Sequence, residues 1–184
     1  MSEWIPAHIT IGGRFSPELV PALCAAICEE SGGLDWGDDA FKPRGAMDLM
    51  AARQLIGSAM LLRLFDETAR SGRFESLEPF LIEHRIPFDR QNEAKFDISA
   101  SHFVYRPDSG THEFLTDAEE KTVIRAGPLH GHVEMLEQVR RELSAGRVQA
   151  AGLLIADCLA KLQETLPPEV PSLPNFEIES GGAA

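Results

Sequence analysis

The apolar residues of this chain keep two different periods, and that alternation most constrains what it can fold into. Leu19, Val20, Leu23, Cys24 and Ile27 recur at helical spacing, whereas Ala7-His8-Ile9-Thr10-Ile11 alternates in twos before Gly12-Gly13. A segment patterned for one period cannot hold a continuous buried face in the other, so the chain must combine helices with strands.

Punctuation places the elements. Ser16-Pro17-Glu18 offers an N-cap, a proline at the first helical position and an acid in the first turn. Gly32-Gly33 closes that helix, and Pro21 must bend it or delay its start. The spacing of Met47, Met50, Ala51 and Leu55 predicts a short helix over residues 46–55. The continuous apolar run over 59–65 predicts a central strand buried on both faces, and an amphipathic helix follows over 74–82.

Beyond Pro87 the period becomes two. Phe96, Ile98 and Ala100 alternate in one register and Phe103 and Tyr105 in the other, which calls for a bulge near 99–101. Residues 112–115 and 122–125 are expected to pair across the acidic turn at 117–120. Val133, Leu136, Val139 and Leu143 mark one later helix; Val148, Leu154, Ile155, Leu159, Leu162 and Leu166 mark another. Ser144-Ala145-Gly146 turns between them. Pro167, Pro168, Pro171 and Pro174 keep the tail extended, with Phe176 and Ile178 able to dock.

Strands joined by helices are expected to run parallel, and the later hairpins to add antiparallel strands. The expected class is α+β: a mixed β-sheet covered by helices, with a C-terminal helical hairpin and an extended Pro-rich tail. One domain is expected over 1–166 and the tail over 167–184.

Length and composition agree with a packed domain, at 184 residues of which 43% are hydrophobic and 25% charged. No run approaches the roughly 20 apolar residues of a membrane helix. Met1-Ser2-Glu3-Trp4 lacks the basic start and apolar stretch of a secretory signal, so a cytoplasmic protein with no membrane partner is expected. Cys24, Cys28 and Cys158 cannot all pair. Cys24 and Cys28 share a helical face, as packing residues or as a redox pair or half a metal site.

The net charge is −12, and the acids are clustered. Glu29, Glu30, Asp35, Asp38 and Asp39 form one base-free stretch. Glu113, Asp117, Glu119 and Glu120 form a second, and Glu164, Glu169, Glu177 and Glu179 a third. Such a field repels phosphate backbones, which disfavours direct nucleic-acid binding, and attracts a basic protein surface. The plainer reading of the same charge is solubility.

Candidate chemistry is sparse. Gly12-Gly13-Arg14 lies where phosphate loops occur, but lacks the dinucleotide and triphosphate signatures; paired glycines more often simply turn the chain. In His130-Gly131-His132-Val133-Glu134 a helix would put His130 and Glu134 on one face as possible metal ligands, without a further ligand cluster to complete a site. Asp89, Arg90, Asn92 and Glu93 are expected in a helix-to-strand loop, where two carboxylates beside an arginine could bind a ligand or act as acid and base. No catalytic residue and no cofactor is assigned.

Residues 74–80, Ile86-Pro87-Phe88-Asp89-Arg90, Phe103-Val104-Tyr105-Arg106-Pro107 and the opening His8-Ile9-Thr10-Ile11-Gly12-Gly13 together resemble uncharacterised proteins of proteobacterial plasmids and phages. The resemblance implies an accessory protein of a mobile element that binds and regulates host machinery, and assigns no activity. The expected function is a non-enzymatic acidic interaction protein, in its concrete form a nucleic-acid mimic, using Glu29, Glu30, Asp35, Asp38 and Asp39. The alternative is a small enzyme or ligand-binding domain using Asp89 to Glu93, with His130 and Glu134 around a metal.

Overall fold

Strand β1 (Trp4–Ile11) carries the alternation into three dimensions: Ile5, Ala7, Ile9 and Ile11 are fully buried on one face, and His8 and Thr10 point to the other. The computed structural model describes residues 4–95, 97–124 and 126–179. The chain divides into one unit of Met1–Thr122 with Val170–Ala184, and a second of Val123–Glu169.

In the first unit β1 lies inside a six-stranded sheet with β3 (Gln54–Ile56), β4 (Ala59–Arg70), β5 (Phe88–Asn92), β6 (Ser101–Arg106) and β7 (Gly110–Leu115), in the order β3-β4-β1-β5-β6-β7. Every pairing within it is antiparallel. The helix-joined strands do run the same way, β1 with β3 and β4 with β5, yet they are never neighbours. A tight β3–β4 hairpin, with Gly57 at φ 62°, reverses the chain before β4 reaches β1. The expected helix over 46–55 is correspondingly shorter, because α2 (Ala46–Ala51) gives way to β3.

Helices α1 (Val20–Glu29) and α3 (Leu77–Glu83) cover the apolar face. Leu23 and Ile27 of α1 and Leu77 and Leu81 of α3 pack with Ile9, Ile11, Leu62, Leu64 and Phe88 of the sheet. A 3-10 turn at Pro17–Leu19 precedes α1, so Pro21 falls in its first turn, where the missing N–H breaks no helical bond. The architecture is α+β, as the two periods require.

Residues 89–92 are not the expected loop. They lie in β5, and the pleat sends Arg90 and Asn92 into the core and Asp89 and Gln91 to the opposite face. Arg90 is 2% exposed. Its Nε lies 3.1 Å from Glu78 Oε1, and its Nη1 donates to the Gly72 carbonyl at 2.7 Å and to Asn92 Oδ1 at 3.2 Å. The alternation seen at 96–100 does not make a strand: only a Lys95–Ile98 bridge forms there, and Phe96 lies outside the described residues. Residues 112–115 pair with β6 instead, leaving a single Thr116–Thr122 bridge across the acidic turn, with Arg125 outside the described residues.

The tail returns to the sheet unit. Strand β8 (Phe176–Ile178) pairs in parallel with β2 (Gly13–Phe15), and the fully buried Phe176 ring sits 4.6 Å from that of Phe15. Gly12-Gly13 seats this tail. A Cβ on Gly12 would fall 2.2 Å from the Pro174 carbonyl oxygen, and Gly13, at φ 97°, donates its N–H to Asn175 O at 3.0 Å.

The second unit is the expected hairpin, α4 (Ala126–Ser144) and α5 (Val148–Thr165), with Gly146 at φ 73° in its turn. His132, Val139, Ala151 and Cys158 are buried, while Val133, Leu136, Leu143, Val148 and Leu159 remain exposed. No helix among the described residues is long and apolar enough to cross a membrane.

Candidate functional site

The polar residues gather on the sheet face that points away from α1 and α3. Register places Thr10 between Arg63 of β4 and Asp89 of β5, and His8 between Phe65 and Gln91. On β6, His102 lies opposite Gln91 and Val104 opposite Asp89. Two adjoining depressions open here and share His8 and Gln91. The smaller, of about 300 Å³, is lined by Thr10, Arg63, Asp89, His102 and Ser172. The larger, of about 590 Å³, is lined by Trp36, Glu93, Asp117 and Glu120.

Charge in the smaller cleft is finely partitioned. Arg63 donates from Nε to Thr10 Oγ1 at 2.9 Å and stands 5.9 Å from the Phe65 ring centre. Burial alone would raise the Asp89 carboxyl pKa, but His102 beside it and the hydrogen bond from Arg106 outweigh burial and hold the group below its usual range. Arg106 Nη1 lies 2.6 Å from Asp89 Oδ1, and its Nε reaches the Pro171 carbonyl at 2.7 Å, tying the tail to the sheet. His102 Nε2 is 3.7 Å from Asp89 Oδ2. Burial, then the charges of Arg63 and His102, push His8 down to about 4, so its ring is neutral near pH 7.

The larger groove has an aromatic wall and an acidic rim. Trp36 is 41% exposed, its ring 4.9 Å from Phe65 and 6.4 Å, edge-on, from His8. Glu93, Asp117 and Glu120 are exposed around it. Asp117 Oδ1 accepts the backbone N–H groups of Glu119 and Lys121, each at 2.9 Å, which sets the turn that presents Glu120.

The residues singled out from sequence divide accordingly. Glu30 is committed to the fold: its Oε1 accepts the N–H groups of Ser76 at 2.8 Å and Leu77 at 2.9 Å, capping α3. Burial raises its pKa against those two bonds. Asp35 Oδ1 accepts the Trp36 N–H at 2.8 Å, and Asp35, Asp38 and Asp39 are exposed in the loop that carries Trp36. Glu29 is exposed at the end of α1. Of the second acidic stretch, the exposed Glu113 accepts from Ser101 Oγ at 2.8 Å, while Asp117 and Glu120 reach the groove. Glu177 of the third pairs with Arg14.

Asp89 lines the smaller cleft and Glu93 the larger, whereas Arg90 and Asn92 serve the core. His130 and Glu134 are exposed on α4, and no group of three or more potential metal ligands occurs among the described residues. Cys24 and Cys158 are buried free thiols, and Cys28 is partly buried. Sequence reasoning missed His8, Thr10, Arg63, Gln91, His102 and Trp36. The available signal was polar residues alternating with Ile9 and Ile11, and one arginine inside the apolar run 59–65. No protein-family model, curated protein or solved structure matches the chain.

Proposed function

We propose that the sheet unit is a non-enzymatic binding module acting in the cytosol, whose acidic groove takes a basic segment of a protein partner. One observation carries the reading: Trp36, from the first acidic stretch, and Asp117 and Glu120, from the second, line the same groove of about 590 Å³. An exposed indole beside carboxylates suits a lysine or arginine side chain, through ring–cation attraction and charge pairing. The net charge of −12 steers a basic partner toward it. Where that partner handles nucleic acid, the carboxylates stand in for phosphates and the module acts as a competitive inhibitor.

The test is fluorescence anisotropy with labelled lysine- and arginine-rich peptides at low and high salt. Binding should weaken as salt rises. Replacing Trp36 with Ala, or Glu93 and Glu120 together with Lys, should lower affinity about tenfold or more while leaving the melting temperature within about 2 °C, since these side chains are surface-exposed. Equal peptide affinity in the charge-reversed and original proteins would refute the proposal.

A further inference from the structure

We propose that the smaller cleft is a separate binding site for a small molecule bearing an oxyanion, phosphate or carboxylate, with Arg63 as its anchor. In a chain with 29 acidic residues and 17 lysines and arginines, a partly buried arginine would ordinarily find a carboxylate. Arg14, Arg70, Arg85, Arg90, Arg106 and Arg147 each have one within 4 Å. No ion pair forms at Arg63 among the described residues, and its only hydrogen bond there is from Nε to Thr10.

That one bond fixes the plane of the guanidinium, and the two terminal nitrogens have no hydrogen-bond partner among the described residues. A fork held in place and undercut by an aromatic ring is the arrangement that recognises a planar or tetrahedral oxyanion through two parallel bonds. Arg63 feels the charges of Glu120 and Asp89 but forms an ion pair with neither, and Asp89 is engaged by Arg106 at 2.6 Å. His102, Ser172 and Thr10 supply further polar lining. Gln91 lines it as well, so polar groups concentrate at this cleft. A volume of about 300 Å³ is at the small end of ligand pockets and admits a metabolite, not a polymer.

This site uses residues distinct from the acidic rim and stands independently of the peptide reading. The test is isothermal titration of the full chain with inorganic phosphate, ribose 5-phosphate and malonate, the three arms separating phosphate from carboxylate chemistry. Saturable one-to-one binding of at least one probe is expected, weakened about 10- to 100-fold by Arg63→Gln and less by Arg63→Lys. Thr10→Val, which keeps the guanidinium but frees its plane, should weaken the same probe by a smaller factor, and supports the site if Arg63→Gln does not fold. Absence of binding by all three probes at millimolar concentration, or equal affinity in folded Arg63→Gln, overturns the proposal, and neither result bears on basic-peptide binding.

Discussion

His8 makes the stability of the sheet unit sensitive to mild acid. The ring is 9% exposed, packed 5.5 Å from Phe65, and its pKa is pushed from 6.5 down to about 4 by burial and by the charges of Arg63 and His102, with Gln91 acting the other way. Between those two values the unfolded chain binds a proton that the folded chain refuses. Stability is therefore intact above pH 6.5 and falls as the pH drops toward the folded value, by at most about 1.4 kcal/mol per pH unit. Integrated from pH 7 to pH 5, the loss is about 2 kcal/mol, a large part of the margin of a domain this size. Urea denaturation followed by far-UV circular dichroism at pH 7, 6 and 5 measures it, compared with His8→Gln. The variant should lose about 2 kcal/mol less than the original protein across that range. Glu30 and Glu78, whose raised pKa values act with the opposite sign, are present in both proteins and drop out of the comparison. Parallel pH profiles for the two proteins would refute the burial argument.

Two further substitutions test how the scaffold holds the face together. Gly12→Ala would set a methyl 2.2 Å from the Pro174 carbonyl oxygen, so β8 should detach and expose Phe176; a loss of about 2–3 kcal/mol and faster proteolysis of the tail are the expected readouts. Glu78→Gln leaves the buried Arg90 without its nearest counter-charge and should cost about 3–5 kcal/mol in denaturant titrations, with Glu78→Gln/Arg90→Met recovering more than half; no recovery would mean that packing, not charge, holds that corner.

Trp36 links the two proposed sites, because its indole borders the acidic groove and also packs toward Phe65 and His8, whose other neighbours are the arginine cleft. One face can thus present opposite charges side by side. Arg106 and the Arg63–Thr10 bond keep the cationic half locally ordered, while the acids at the rim stay in solvent.

Local pattern placed α1, α3, α4, α5, β1 and the start of β4 and showed that the tail runs extended, while it read β3 as the end of a helix and residues 96–100 as a strand. Those properties follow from period and backbone chemistry within a few residues, as in the alternation of Ile9 and Ile11 with His8 and Thr10. The same local reading mistook residues 89–92 for a loop, because a strand whose core-facing residues are Arg90 and Asn92 shows no apolar alternation. It also could not pair strands: helix-linked strands keep one direction, but only the β3–β4 hairpin decides that β1 receives antiparallel neighbours on both sides. The site lay further out of reach. Thr10 meets Arg63 fifty-three positions away and Glu30 caps a helix forty-seven away, so a polar residue becomes structural or available according to a partner that tertiary packing alone supplies.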